Sequence, residues 1–313
     1  MFDHKKCQVF FRGEFVSYDK ATVSIANTGF LYGLSVFTGM RAFRNPVKNS
    51  LYLFRISDHY ERLRFSCRLM RFENFFRDYS LARFVEILSE LLVLNEIKED
   101  AYIRVTNFAD ETKIGPSLKG TSDSLSIYLY PLGDYVATTG LRCCVSSWNR
   151  LKDNTIPARA KISGSYVNTA LAKTEALYDG YDEAIFLSDD SKVVEGSAEN
   201  IFLVREGNII TPPVNDNILE GITRKSVLEI AKDRGINCTE RSISRSELYA
   251  ADEIFLSGTG AKIAPVIEID NIPVGTGTVG PIARLIQDSY LSAARGQLDD
   301  YRHWVHEVPI IGE

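Results

Sequence analysis

The chain opens on short apolar runs separated by turn residues. Val9-Phe10-Phe11, the turn Arg12-Gly13-Glu14 and Phe15-Val16-Ser17-Tyr18 predict a β-hairpin. Asn27-Thr28-Gly29 signals a turn, and a strand pair is expected over 39–43 and 51–54. The period then changes to that of helices. One helix, capped by Ser57 or Asp58, carries Tyr60, Leu63, Cys67 and Met70; a second, capped by Ser80, carries Phe84, Ile87, Leu88, Leu91 and Leu92. Strands follow over 101–108 and 125–132. The second half mixes strands (141–147, 183–188, 199–204, 208–211, 252–256) with helices (166–179, 223–234, 244–250, 281–295). Residues 133–140 have few large apolar side chains and read as a connector, so the expected division is 1–133, a connector at 134–140, and 141–313. From Gln297 onward the chain is charged and reads as helical or loose.

Composition narrows the function. With 45% apolar and 25% charged residues the chain has the makeup of a globular protein, which excludes disordered and collagen-like architectures. Its 36 Lys+Arg against 41 Asp+Glu, net −5, give no drive toward nucleic acid. No apolar run spans a bilayer, and the N-terminus lacks a secretory pattern, so a cytoplasmic location is expected. The cysteines (Cys7, Cys67, Cys143, Cys144 and Cys238) contain no CxxC, so neither zinc nor a disulfide framework is signalled.

Several groups carry possible chemistry. Gly275-Thr276-Gly277-Thr278-Val279-Gly280 matches GxGxxG, but no complete βαβ unit follows, and it reads as a loop entering the last helix. The four histidines form no HExxH, and there is no GxSxG elbow. Lys161 lies among small and apolar residues before a Ser/Gly turn; a partly desolvated lysine can form an imine, although this segment taken alone reads as that of a surface lysine. Glu195 ends one apolar strand just before another, a place for a cationic partner, either a salt bridge or a protonated ring nitrogen. Leu219-Glu220-Gly221-Ile222-Thr223 opens a helix, and Ser257-Gly258-Thr259-Gly260 follows a strand; both are candidate phosphate cradles. Tyr102 and Arg104, two apart on a strand, share one face and suit a carboxylate.

Taken in order, these segments resemble the branched-chain amino acid aminotransferases, fold-type IV pyridoxal-phosphate enzymes. The matching runs are Val145-Ser146-Ser147-Trp148-Asn149-Arg150, Asn154-Thr155-Ile156-Pro157, Lys161, Glu195-Gly196-Ser197-Ala198-Glu199-Asn200, Gly221-Ile222-Thr223-Arg224 and Ser257-Gly258-Thr259. In the first half Tyr32-Gly33, Ser35-Val36-Phe37, Gly39 and Tyr102-Ile103-Arg104 agree as well. The resemblance implies a two-domain α/β (α+β) fold, a smaller N-terminal and a larger C-terminal domain with pyridoxal 5′-phosphate between them. It implies that Lys161 forms the Schiff base, that Arg62, Ile222, Thr223 and Thr259 hold the phosphate, that Tyr166 bonds the phenolic oxygen and that Glu195 binds the ring nitrogen. It assigns Phe37, Tyr32 and Tyr166 to the apolar part of the substrate pocket, Arg104 and Tyr32 to a distal carboxylate, and Tyr102 with the Thr259-Gly260 backbone to the α-carboxylate. The implied reaction moves an amino group between Leu, Ile or Val and 2-oxoglutarate in branched-chain amino acid biosynthesis, in a homodimer or larger homo-oligomer.

Three segments depart from the family pattern: Leu132 stands where relatives carry Trp, the turn after the lysine reads Ile162-Ser163-Gly164-Ser165, and Lys113-Ile114-Gly115-Pro116-Ser117 matches only loosely. These bear on side-chain preference. A D-amino-acid aminotransferase, an aminodeoxychorismate lyase and a transaminase for aromatic or other hydrophobic amino acids share the fold and remain alternatives.

Overall fold

A computed structural model describes residues 7–133 and 140–310. The connector expected at 134–140 lies, save for Gly140, outside them. The chain divides into two compact units: Met1–Gly133 with Ala160–Gly164 and Ala293–Glu313, and Asp134–Arg159 with Ser165–Ser292. The division is discontinuous, whereas the sequence reading assigns 160–164 and 293–313 to the second domain.

The first unit is built on one antiparallel sheet. The expected hairpin is β1 (Gln8–Phe11) and β2 (Glu14–Ser17), joined by Arg12 and Gly13, both at positive φ as a two-residue turn with this twist requires. Asn27, read as a turn, caps a short helix α1 (Thr28–Tyr32) by accepting from the Phe30 amide. β3 (Ser35–Asn45) and β4 (Ser50–Phe54) extend the predicted strand pair. α2 (Ile56–Leu69) starts earlier than its expected caps: Arg55 is the N-cap, in the left-handed region, and Asp58 pairs back to its guanidinium at 2.7 Å. A short helix α3 (Asn74–Asp78) precedes α4 (Leu81–Leu94), which Ser80 caps as expected through the Arg83 amide. β5 (Ala101–Ala109) and β6 (Asp123–Pro131) complete the interior strands. The tail after Gln297, expected to be helical or loose, begins with a 3₁₀ segment, Asp299–Trp304. It holds a strand, Val305–Pro309, antiparallel to β4, and its exposed polar residues mark an edge that periodicity does not reveal. The sheet order from that edge is C-terminal strand, β4, β3, β5, β6, β1, β2.

The second unit is a mixed sheet. Its strands are β7 (Leu141–Asn149), β8 (Glu183–Leu187), β9 (Lys192–Gly196), β10 (Asn200–Arg205), β11 (Asn208–Thr211), β12 (Cys238–Glu240), β13 (Ile243–Ser244), β14 (Glu253–Gly258), β15 (Lys262–Ile269) and β16 (Ile272–Pro273). Helix α5 (Tyr166–Tyr178) packs on β7 and β8, α6 (Ile222–Asp233) on β14, and α7 (Pro281–Ala294) follows the Gly-rich loop. The helix expected at 244–250 is a 3₁₀ segment, Arg245–Ala250, with a Ser244–Glu247 capping box. Strands β10, β14, β15, β7, β8 and β9 pair in sequence, and an Asn200–Glu195 bridge joins β9 back to β10, closing a six-stranded ring. The fully buried Cys143, Ile185, Val193, Ile201, Ile254, Leu256 and Ala264 belong to one apolar cluster of this unit. Cys144, one residue on from Cys143, joins a separate cluster with Ala172 and Ala176 of α5, as alternation along a strand requires.

The GxGxxG segment is a helix entrance, and its anion site is filled from within. The buried Glu253 carboxylate accepts from the Ile282 amide at 3.1 Å and the Ala283 amide at 2.7 Å, neutralising the start of α7. A Cβ at Gly280 would lie 2.1 Å from Glu253 Cδ, so the glycine is there for close approach. Replacing Glu253 with Ala is expected to cost about 2 kcal/mol, read as a drop of about 2–4 °C per kcal/mol in thermal unfolding. Thr276→Ala, which removes a hydroxyl paired to the exposed Thr278 in that loop, serves as the near-neutral control.

Candidate active site

In the first unit the predicted site residues gather around Phe37. β3 carries Phe37, almost fully buried, and its amide donates to the Lys161 carbonyl at 2.9 Å, while Val36 and Ile162 form an isolated antiparallel bridge. Ser35 Oγ donates to Ser163 Oγ at 2.7 Å. Residues 160–162 thus run beside the start of β3 on a single bridge, and a 3₁₀ turn, Ser163–Ser165, follows. The Lys161 amide donates to Ser66 Oγ at 3.1 Å, and that hydroxyl donates to the Arg62 carbonyl at 2.9 Å. The approach at the following turn is tight. Gly33, at φ +65, faces Gly164 so closely that a Cβ on it would sit 3.3 Å from the Gly164 Cα.

Lys161 Nζ lies 5.0 Å from the centroid of the Phe37 ring, and the Arg104 guanidinium carbon lies 3.3 Å from the same centroid. Arg104 and Tyr102 share the half-buried face of β5, while Ala101, Ile103 and Val105 are buried on the other, as their spacing predicts. Tyr102 occupies a space left by Gly39 on the neighbouring strand: a Cβ at Gly39 would lie 2.1 Å from the Tyr102 hydroxyl. The Tyr130 ring lies tilted beside Tyr102 at 5.5 Å, and burial raises the pKa of both Tyr130 and Tyr128. Tyr32, at the end of α1, accepts from the Gly115 amide at 3.1 Å, so the 113–117 loop holds it. Arg62, on α2, donates to Thr38 Oγ1 at 3.2 Å.

In the second unit the acid and one cradle are joined by a single segment. Glu195, 4% exposed, is held on both oxygens: Arg150 pairs with Oε1 at 2.7 Å, while Asn200 Nδ2 at 3.2 Å and the Leu219 amide at 3.1 Å donate to Oε2. Two residues past Leu219, Gly221 is the N-cap of α6 and, lacking a side chain, supplies no side-chain cap. The buried Ile222 and Thr223 open its first turn, where free amides and the helix dipole favour an anion. Gly221 is fixed by proximity, since a Cβ there would meet Asn200 Oδ1 at 2.0 Å. Asn200 pairs across to Ser257 on β14, and Ser257 Oγ, buried, has no hydrogen-bond partner among the described residues. Thr259 and Gly260, half-buried, turn the chain from β14 to β15. Tyr166 is the first residue of α5; that helix is tied to the loop after Glu195 by Thr169, whose hydroxyl donates to the Ser197 carbonyl at 2.8 Å.

Arg150, Asn200 and Leu219 are neighbours of Glu195 that the sequence did not assign. Arg150 and Asn200 both fall inside the quoted motifs, but their partner Glu195 lies far from Arg150 along the chain. Ser66, Thr38 and His59 were likewise without a role, having the look of ordinary core positions.

Against known proteins, residues 35–269 match the family model described as amino-transferase class IV. A probable branched-chain-amino-acid aminotransferase of Aquifex aeolicus (strain VF5) is 46% identical over 301 residues, 96% of each chain. The crystal structure of a branched-chain aminotransferase from Thermoproteus uzoniensis with norvaline superposes with a TM-score of 0.92 at 40% identity, covering 96% of this chain and 99% of that one. The T.th. branched-chain amino acid aminotransferase complexed with N-(5′-phosphopyridoxyl)-L-glutamate gives 0.91 at 35%, covering 97% and 99%. The chain therefore belongs to the class IV aminotransferases, enzymes that work with pyridoxal phosphate, and it has their fold-type IV α/β architecture. Within that class it groups with the branched-chain amino acid aminotransferases.

The residues present fit the cofactor. A buried carboxylate paired with an arginine suits a protonated ring nitrogen, and a helix start with a glycine N-cap and a buried, unpartnered hydroxyl on the strand beside Asn200 suits a phosphate. Removing Arg150 strands a buried charge. Arg150→Met is expected to cost about 3 kcal/mol, measured by denaturant unfolding of the cofactor-free protein. The double change Arg150→Met with Glu195→Gln is expected to cost less than the two single losses added, because no buried charge is left alone.

Proposed function

We propose that the protein transfers the amino group of a branched-chain L-amino acid (Leu, Ile or Val) to 2-oxoglutarate, releasing the branched 2-oxo acid and glutamate. The observation that carries the reading is the junction at Leu219–Thr223. One short segment bonds the acid suited to a ring nitrogen and then opens the anion site suited to a phosphate, the two ends of one cofactor.

Pyridoxal phosphate, when bound, supplies an electron sink for the substrate Cα and a carrier for the amino group. Lys161 is the residue proposed to hold it covalently and, once freed, to take the proton from the substrate Cα with its Nζ and return it. Glu195, oriented by its pairing with Arg150, accepts from the protonated ring nitrogen. Arg62, Ile222, Thr223 and Thr259 hold the phosphate, and Tyr166 donates to the phenolic oxygen. Tyr102 and the Thr259-Gly260 backbone receive the α-carboxylate.

Arg104 stacked on Phe37 addresses the demand that one pocket take two unlike side chains. The Phe37 ring, with Tyr32 and Tyr166, offers apolar surface to a branched side chain. The guanidinium beside it, with Tyr32, offers charge to the distal carboxylate of glutamate. The relatives support this pairing: one is described with norvaline, an apolar amino acid, and another with a phosphopyridoxyl-glutamate.

A homodimer or larger homo-oligomer is part of the proposal. Ile25, Phe30, Leu31 and Ile114 are exposed apolar residues on segments that the Tyr32–Gly115 bond links, a surface that association would cover. A cytoplasmic location is proposed as well; among the described residues no helix is long and apolar enough to cross a membrane.

Two measurements test the reading. In a substrate panel, L-leucine, L-isoleucine and L-valine with 2-oxoglutarate are expected to react well and D-alanine not; turnover of the D-substrate alone would reassign the enzyme within the fold. Lys161→Ala is expected to lose the visible absorbance of the bound cofactor and at least about 10⁴-fold in kcat.

A further inference from the structure

Inside the first unit, α2 turns three polar residues to one side: His59, Arg62 and Ser66, spaced three and four apart. Ser66 reaches the Lys161 segment. The other two meet Thr38, which sits between Phe37 and Gly39 in an otherwise apolar stretch of β3 and has no exposed surface. A hydroxyl so placed is costly unless bonded. Thr38 Oγ1 lies 3.2 Å from Arg62 Nη2 and 2.7 Å from His59 Nδ1.

The direction of each bond follows from the donors. A guanidinium only donates, so Thr38 accepts from Arg62. Its own hydrogen is then available to His59 Nδ1, which serves as the acceptor and leaves the imidazole neutral with its hydrogen on Nε2. Burial, and then the nearby charges of Arg62, Lys161 and Arg55, hold His59 well below the ordinary histidine range, in keeping with an uncharged ring. A charged ring here would repel Arg62; a neutral one orients Thr38 toward it.

We propose that Thr38 and His59 are positioning residues for Arg62, a two-step relay that aims its guanidinium at the cofactor phosphate. The proposal rests on the reading that Arg62 takes the phosphate. Its effect is therefore specific to the phosphorylated cofactor, whereas a merely structural contact would affect any ligand of Lys161.

The test uses the full-length cofactor-free protein, titrated with pyridoxal phosphate and, separately, with pyridoxal, which has the aldehyde and ring but no phosphate. Thr38→Val and His59→Leu are expected to weaken pyridoxal phosphate about tenfold while pyridoxal stays within about twofold. Thr38→Ser and His59→Asn, which keep a hydroxyl and an acceptor, are expected to restore binding to within about threefold of the original. Thermal unfolding of each variant checks that it is folded, and the two conservative variants carry the test if the apolar ones are not. Equal weakening of both ligands, no weakening of either, or a loss in the conservative variants as large as in the apolar ones would overturn the relay. Arg62→Met is the reference. If it leaves the ratio of the two affinities unchanged, the assignment of Arg62 to the phosphate fails and the relay falls with it; if it shifts that ratio while Thr38→Val does not, only the relay fails.

Discussion

The second unit depends on a charge that its fold has to bury. Glu195 lies at the bridge where β9 meets β10 and the six-stranded ring closes. A lone carboxylate there would be prohibitive, and Arg150 with two further donors answers each of its oxygens. The sequence pattern around the ring follows from this. Asn200 must be an amide because it bonds both Glu195 and the Leu219 carbonyl, and Gly221 must lack a side chain because Asn200 fills the space. The acid, the closing bridge and the helix start are thus one connected construction.

The first unit solves a different problem, holding a flexible lysine on a segment with little regular structure. Residues 160–164 take their order from β3 and from Ser66 on α2. The lysine's backbone is fixed at both its amide and its carbonyl, while the side chain extends near Phe37. Arg104 shares that ring, so cationic and apolar surface lie within one side chain of each other.

Much of this was legible in the residues, and what was not has physical causes. The Arg12-Gly13 hairpin and the Ser80 cap were readable because their signals are local: turn residues at fixed offsets and an oxygen before an apolar-periodic run. Alternation along β5 correctly put Tyr102 and Arg104 on one face. β15 was missed because Pro265 interrupts its apolar run, and the C-terminal strand because it is short, lies at an edge and breaks its two valines with the exposed His306 and Glu307. The caps proposed for α2 were displaced by Arg55, whose left-handed backbone no propensity anticipates. In the site, Lys161 and Glu195 were ambiguous alone and became interpretable only as members of an ordered set resembling a family. Arg150 stayed unassigned because ion pairing across the fold leaves no local trace, and the discontinuity of the units likewise depends on contacts distant in sequence.

The contact between Gly39 and Tyr102 sets a limit on how this protein can diversify. The phenol sits where any larger residue at 39 would be, so the two positions share a single volume. Enlarging the first requires the phenol to move, so the two positions are coupled. Enlargement at this corner has to arrive as a paired exchange, which is rarer than single changes. Change in this unit comes more easily at positions such as 32 and 113–117, where a loop rather than a neighbouring strand sets the spacing.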